Sequence, residues 1–253
     1  MDLELKGKGF VVTGGTRGIG RAVVQALVDA GANVRFCARS RSQVAEANDY
    51  FSEAGHAGFA CGQVADVANP VQLRDFTRWA IEELRDVHGC VANVSAGAGE
   101  GEEGWQAAFE TDIMSTVRLA EFILPHMLAS SGSLVVINSI MSAESSGMPG
   151  PYAAAKAALA NYTSQLGDFA GRQGLRVNSV SPGPIYVEDG FWGNVARTQP
   201  AVLEAVKAQH PMGRLGLPEE VAKAVLFLLS PAARGVNRAN LTVDGGFSRR
   251  IQY

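Results

Sequence analysis

Thr13-Gly14-Gly15-Thr16-Arg17-Gly18-Ile19-Gly20 is the stretch whose reading decides the fold of this chain. It follows the apolar, β-branched run Phe10 to Thr13 and precedes Gly20 to Ala30, where apolar residues recur at helical spacing. A strand that turns through glycines into a helix lets the backbone approach a pyrophosphate at the positive helix N-terminus. Glycines so spaced can also mark a mere tight turn. The strand before, the helix after and the βαβ pattern they open favour the phosphate reading.

The alternation continues outward from that turn. Further strands are predicted at Asn33 to Ala38, Gly58 to Val64, Cys90 to Asn93, Leu134 to Ser139, Arg176 to Val180 and Leu241 to Val243. Helices are predicted at Ser42 to Ala54, Pro70 to Leu84, Trp105 to Leu128, Tyr152 to Gly171 and Pro218 to Leu229, several of them opening on proline. Strands of near-continuous hydrophobicity suit a parallel sheet covered on both faces. The expected fold is therefore α/β, Rossmann-like and doubly wound, with a mostly seven-stranded parallel sheet. One domain over residues 1–253 is expected, interrupted by an irregular Pro- and Gly-containing insertion from about Pro182 to Leu217 whose 184–217 portion suits a substrate lid.

Composition narrows the function classes. With 47% hydrophobic and 19% charged residues among 253, the chain has the makeup of an ordinary globular protein. A net charge of -3 speaks against nucleic acid as a partner, because phosphate backbones call for a basic face. No apolar run approaches the roughly 20 residues of a membrane span, and Met1 to Phe10 lacks the apolar stretch of a secretory signal, so a soluble cytoplasmic protein is expected. Cys37, Cys61 and Cys90 are too scattered for a disulfide framework and read as reduced thiols. His56, His88, His126 and His210 stand singly, and no spacing suggests a metal site.

The second strand bears on the cofactor. An acid at its end would hold a ribose 2′-hydroxyl, but this strand ends in Cys37-Ala38-Arg39. Arg39, with Arg17, can instead make charge-assisted bonds to a 2′-phosphate, which favours NADP over NAD; as a plain alternative Arg39 and Arg41 are solvated surface residues after a strand and Arg17 caps packing elsewhere. Tyr152 and Lys156 are four residues apart and so project from one helix face, and Ser139 ends a strand thirteen residues before Tyr152. A phenol is a poor proton donor near neutrality unless a cation stabilises its phenolate, and Lys156 is placed to do so.

The chain resembles the short-chain dehydrogenase/reductase family, in its single-domain 3-oxoacyl reductase-like branch, over nearly its whole length. The resemblance rests on Thr13 to Gly20, Asp66-Val67, Asn93, Ser139, Tyr152 with Lys156, Asn178, Pro182-Gly183 and Val243-Asp244-Gly245-Gly246, in the family's order and approximate spacing. It implies a proton donor in Tyr152, a carbonyl-polarising hydroxyl in Ser139, and in Lys156 a cation that also holds the nicotinamide ribose. It further implies cofactor contacts from Gly14, Thr16, Arg17, Gly18, Ile19, Gly20, Arg39, Asp66 and Val67 (these last two at the adenine), Asn93, Pro182, Gly183 and Ile185. Homo-oligomers, dimers or tetramers, are implied through Trp105 to Leu128 and Tyr152 to Gly171, whose Ala153, Ala154, Ala155, Ala157 and Ala158 permit close helix approach.

Three departures stand out. Ala92-Asn93-Val94-Ser95-Ala96-Gly97 keeps only the Asn93 of the family's Asn-Asn-Ala-Gly. Val187 stands where the family often has threonine, leaving backbone groups of Ile185 to serve the nicotinamide. Asp112 stands where the family's fourth catalytic residue is asparagine, either serving the proton relay or acting as a hydrogen-bonded helix acid, and Asp112→Asn is expected to be mild. Phe191, Trp192, Met148 and Tyr186 suggest an apolar substrate pocket, although Phe191 and Trp192 can equally pack a lid helix. Glu144 and Glu188 either meet a polar group of the substrate or face solvent. The expected activity is NADP-dependent reduction of a ketone or 3-oxoacyl-type carbonyl. Its rivals are an NAD-dependent alcohol dehydrogenase and a nucleotide-binding regulator without turnover.

Overall fold

Successive residues of β1 (Gly9–Thr13) leave on opposite faces of the sheet, and both faces are apolar: Phe10 and Val12 enter one core, Val11 the other. That is the signature of a strand covered twice. The computed structural model describes residues 3–53, 55, 57–145 and 149–251. His56, Met148 and Ala54, the residue at which the second helix was expected to end, lie outside the described residues.

After β1 come α1 (Gly18–Asp29), β2 (Asn33–Ala38), α2 (Arg41–Glu53), β3 (Phe59–Val64), α3 (Pro70–Leu84) and β4 (Gly89–Ala92). The second half runs α4 (Gly101–Ala108), α5 (Ser115–Ile123), β5 (Ser133–Ile137), α6 (Pro151–Gly171), β6 (Arg176–Pro182), α7 (Phe191–Thr198), α8 (Pro200–Gln209), α9 (Pro218–Leu229) and β7 (Asn240–Val243). The seven strands order as β3-β2-β1-β4-β5-β6-β7, every pair parallel. Chain direction along the sheet reverses between β1 and β4, which opens a crevice at their carboxyl ends. The core splits accordingly. Leu27, Phe51 and Val225 bring α1, α2 and α9 onto one face, while Phe76, Ile123 and Leu159 bring α3, α5 and α6 onto the other. Among the described residues no helix is long and apolar enough to cross a membrane.

Two expectations need correction. The helix predicted over Trp105 to Leu128 is broken: Phe109–Met114 is a π-helical turn between α4 and α5, and Leu124–Met127 is a 3-10 turn. Ser115 Oγ donates to the Thr111 carbonyl at 2.5 Å and Thr116 Oγ1 to that of Asp112 at 2.8 Å, hydroxyl bonds that compete with the regular helix ladder. The insertion is not irregular either, for it holds α7 and α8 around a small core of Val195, Leu203 and Leu215. Its far end is fixed where Arg214 grips Glu220 through Nη2–Oε1 at 2.6 Å and Nη1–Oε2 at 3.0 Å. That hydrogen-bonded guanidinium, followed by the Leu217 N–H, pulls the Glu220 carboxyl down to about 2.

Candidate active site

The glycine loop is a backbone device. Gly14 at φ +73° and Gly18 at φ +54° adopt conformations that L side chains rarely take. The Gly14 and Gly15 amides donate to the Cys37 carbonyl at 2.8 and 3.1 Å, tying the loop to β2. From the end of β4, Asn93 Nδ2 donates to the carbonyls of Thr13 at 3.0 Å and Gly14 at 3.3 Å. Arg17, the N-cap of α1, makes no side-chain cap bond, so the first N–H groups of that helix have no capping partner and suit an anion.

Around this loop lies a cleft of about 410 Å³. Thr16, Arg17 and Gly18 form one wall, Arg39 and Gln43 the rim beyond β2, and Ala65 and Val67 the floor after β3; Asn93, Ile185, Val187 and Phe191 close it. A positive-φ glycine turn, an uncapped helix start and a cleft of this size fit a dinucleotide. Arg39 is exposed on the rim and in no ion pair among the described residues, and β2 has no acid at its end.

Several of the expected contact residues flank the cleft rather than line it. Asp66 accepts from the Ala68 N–H at 3.0 Å, while its own N–H donates to Gln72 Oε1 at 2.9 Å; the cleft is lined by its neighbours. Ile19 turns toward the core shared by α1 and α9. Pro182 ends β6 and Gly183 follows it, both outside the lining, and a Cβ on Gly183 would stand 2.6 Å from that of Asp244. Arg17 reaches the insertion after β6, its Nη1 donating to the Asp189 carbonyl at 2.9 Å. Phe191 lines the cleft, but Trp192 packs against the lid's own core, which divides the pair predicted for substrate. Glu144 pairs with Arg250 at 3.5 Å, and the Glu188 carbonyl accepts from Arg197 at 3.0 Å.

Ser139, Tyr152, Lys156 and Asp112 come from β5, α6 and the π turn. Lys156 Nζ donates to the Ile137 carbonyl at 3.1 Å, which seats the start of α6 against the end of β5. The same ammonium lies 3.1 Å from Asp112 Oδ1, both side chains being 2% exposed or less. The second carboxylate oxygen of Asp112 accepts from the Ala96 N–H at 2.9 Å. Tyr152 is half-buried, its ring centroid 5.7 Å from Lys156 Nζ. Ser139 Oγ accepts from the Met141 N–H at 3.1 Å, which leaves its O–H to donate. An O–H donor and a phenol beside a buried ammonium can polarise a carbonyl and pass it a proton.

Other reactive groups fall outside this work. Burial pushes the Cys37 thiol up to about 12 and raises Cys90 and Cys61 as well, so none is a ready nucleophile. Among the described residues no cluster could hold a metal. His210, read as a lone packing residue, is buried against the turn after β7. Its ring lies 5.7 Å from that of Phe247 and would meet a Cβ on Gly245 at 2.5 Å. The Gly245-Gly246 pair was the signal for such a close approach.

A family profile described as enoyl-(acyl carrier protein) reductase matches residues 14–248. Isoepoxydon dehydrogenase patN of Penicillium expansum is 35% identical, the alignment covering 98% of each chain. The 3-oxoacyl-(acyl-carrier-protein) reductase FabG of Vibrio cholerae is 31% identical over 96% of this chain and 98% of its own. L-Sorbose reductase from Gluconobacter frateurii, solved in complex with NADPH and L-sorbose, superposes with a TM-score of 0.92 at 27% identity, covering 99% of this chain and 100% of that one.

Proposed function

Because this chain belongs to the short-chain dehydrogenase/reductase family of oxidoreductases, we propose that it uses NADPH to reduce a ketone or 3-oxoacyl-type carbonyl to an alcohol. The observation that carries the reading is the buried Lys156 ammonium beside the Tyr152 ring. When bound, the reduced nicotinamide supplies hydride to the carbonyl carbon. Ser139 donates a hydrogen bond to the carbonyl oxygen as charge gathers there, and Tyr152 gives that oxygen its proton. Lys156 stabilises the phenolate left behind. The glycine loop and the start of α1 hold the pyrophosphate, and Phe191 and the lid shape what can enter. The test is NADPH oxidation followed by absorbance against a broad panel of ketones and 3-oxoacyl thioesters. Turnover of a member of the panel supports the reading, and NADPH binding without turnover of any of them counts against it.

The NADP half of the proposal rests on Arg39. Arg39→Asp is expected to weaken NADPH binding by about ten- to a hundredfold, through loss of charge-assisted bonds and added repulsion, while NADH binding improves. Titration of both cofactors against native and variant protein checks this; an unchanged ratio of affinities assigns the 2′-phosphate to another group.

Homo-oligomerisation is part of the same proposal. Trp105 and Phe109 stand 52% and 51% exposed, and α6 carries Phe169, 64% exposed, together with the exposed Ala154, Ala157 and Ala158 nearer its start. Apolar side chains so grouped favour cover by a second copy. Light scattering is expected to give a mass at least twice the 26.6 kDa of one chain, and Phe169→Asp to shift it downward.

A further inference from the structure

The Asp112 carboxylate has two neighbours, and both are donors. Lys156 Nζ stands 3.1 Å from Oδ1, and the Ala96 N–H meets Oδ2 at 2.9 Å. The pair is buried, 2% exposed at Lys156 and 1% at Asp112, where an unanswered donor is costly. A carboxylate offers an acceptor at each end, whereas an amide offers one acceptor and one NH2. An asparagine here, turned either way, would set its NH2 against the Lys156 ammonium or against the Ala96 N–H. The mildness expected of Asp112→Asn from the family's pattern therefore does not survive these surroundings.

Lys156 adds a second constraint. Its ammonium has three hydrogens. One is given to the Ile137 carbonyl at 3.1 Å, while Asp112 Oδ1 stands 3.1 Å from the nitrogen as an ion-pair partner that accepts no hydrogen bond. The carboxylate therefore holds the nitrogen by charge rather than by a shared hydrogen, which leaves the hydrogens not given to Ile137 for the site. Ala96 belongs to the loop after β4, whose Asn93, Val94 and Ser95 line the cofactor cleft, so the carboxylate joins that wall to the lysine of α6.

We propose that Asp112 is a positioning residue that acts through Lys156: its carboxylate, anchored through one oxygen by the Ala96 N–H, holds the ammonium by charge against the cleft wall and so keeps it at the reacting site, a task that requires an acid in this chain. This rests on the reductase reading and deepens it. Asp112→Asn is expected to lower kcat roughly thirtyfold, by misplacing a buried donor. NADPH affinity, read by fluorescence titration, should fall clearly less than kcat, since the glycine loop and Arg39 are untouched, whereas a general loss of structure would move both alike.

The pairing is also read without turnover, by thermal unfolding of a double-mutant cycle with Lys156→Gln. In the native background Asp112→Asn should lower Tm. In the Lys156→Gln background it should raise Tm, because there it removes a buried carboxylate that has lost its counter-charge. If Asp112→Asn alone does not fold, folding of the double variant supports the proposal and its failure to fold overturns it. Equal lowering of Tm in both backgrounds overturns it, as does a kcat within threefold of native. Tyr152→Phe run alongside separates the two readings: if native protein and Tyr152→Phe turn over alike, the reductase reading fails while the Tm cycle still decides the pairing.

Discussion

Tyr152→Phe is expected to slow carbonyl reduction by about a hundredfold or more, with folding and NADPH binding unchanged. The substitution removes one oxygen. The ring keeps its half-buried place on the first turn of α6, and the Lys156 ammonium keeps both the Ile137 carbonyl and Asp112. What is lost is the proton donor that neutralises the oxygen as hydride reaches the carbon. The measurement is single-turnover NADPH oxidation with a substrate found by the panel, beside NADPH titration and thermal unfolding. A variant that retained more than a tenth of the native rate would mean that the proton comes from elsewhere, with the Ser139 O–H as the first group to examine.

The second large effect concerns Gly20. A Cβ at this position would lie 2.0 Å from the Gly14 carbonyl oxygen and 2.6 Å from Asn93 Nδ2. The first obstacle is backbone and cannot swing aside. The second is the amide that clips β4 to the loop through its bonds to Thr13 and Gly14. Gly20→Ala must therefore push α1 away from the loop, at a cost of about 2–4 kcal/mol, in the range of forced overpacking. Tm should drop by roughly 5–15 °C for a chain of this size. NADPH binding should weaken by about a hundredfold or more, because loop and helix start form one anion site. Gly235→Ala is the matched control, as a Cβ there meets nothing within 4 Å. If both variants bind NADPH like the native protein, the close packing of loop on helix is not what holds the cofactor.

How much of this was legible beforehand depends on the range of the interaction. The β1-loop-α1 unit is local: a β-branched strand, glycines and a helical period lie within some twenty residues, and the predicted and observed elements agree closely. Pro70–Leu84 and Pro218–Leu229 appear as predicted, since proline at N1 and apolar periodicity mark their ends. The π turn was not legible, because one widened turn shifts the helical phase by too little to show in a periodic pattern. Helices α7 and α8 span only 8 and 10 residues, too few for a clear period, and the insertion looked irregular. For the site, spacing pointed to Tyr152, Lys156 and Ser139 as a group. What spacing could not supply were the cross-chain links: Lys156 to Ile137, Asp112 to Ala96, and Arg17 to Asp189 rather than outward. Nor could spacing supply the local bond of Asp66, whose Oδ1 accepts from the Ala68 N–H.

The lid has a private core. Val195, Leu203 and Leu215, with Trp192 packed on them, form a cluster separate from the two that clothe the sheet. Substitutions in the stretch 191–209 are thus insulated from the interior on which folding depends, and sheet mutations are insulated from the lid. Such a partition lets selection act on two parts of one gene almost independently. The sheet edge, where a single residue such as Gly20 tolerates no side chain, is held nearly fixed, while the segment proposed to shape what enters the cleft is free to drift. Divergence of substrate should run ahead of divergence of chemistry in this lineage, and random libraries confined to 191–209 should yield folded, NADPH-binding proteins far more often than libraries of equal size in 13–20.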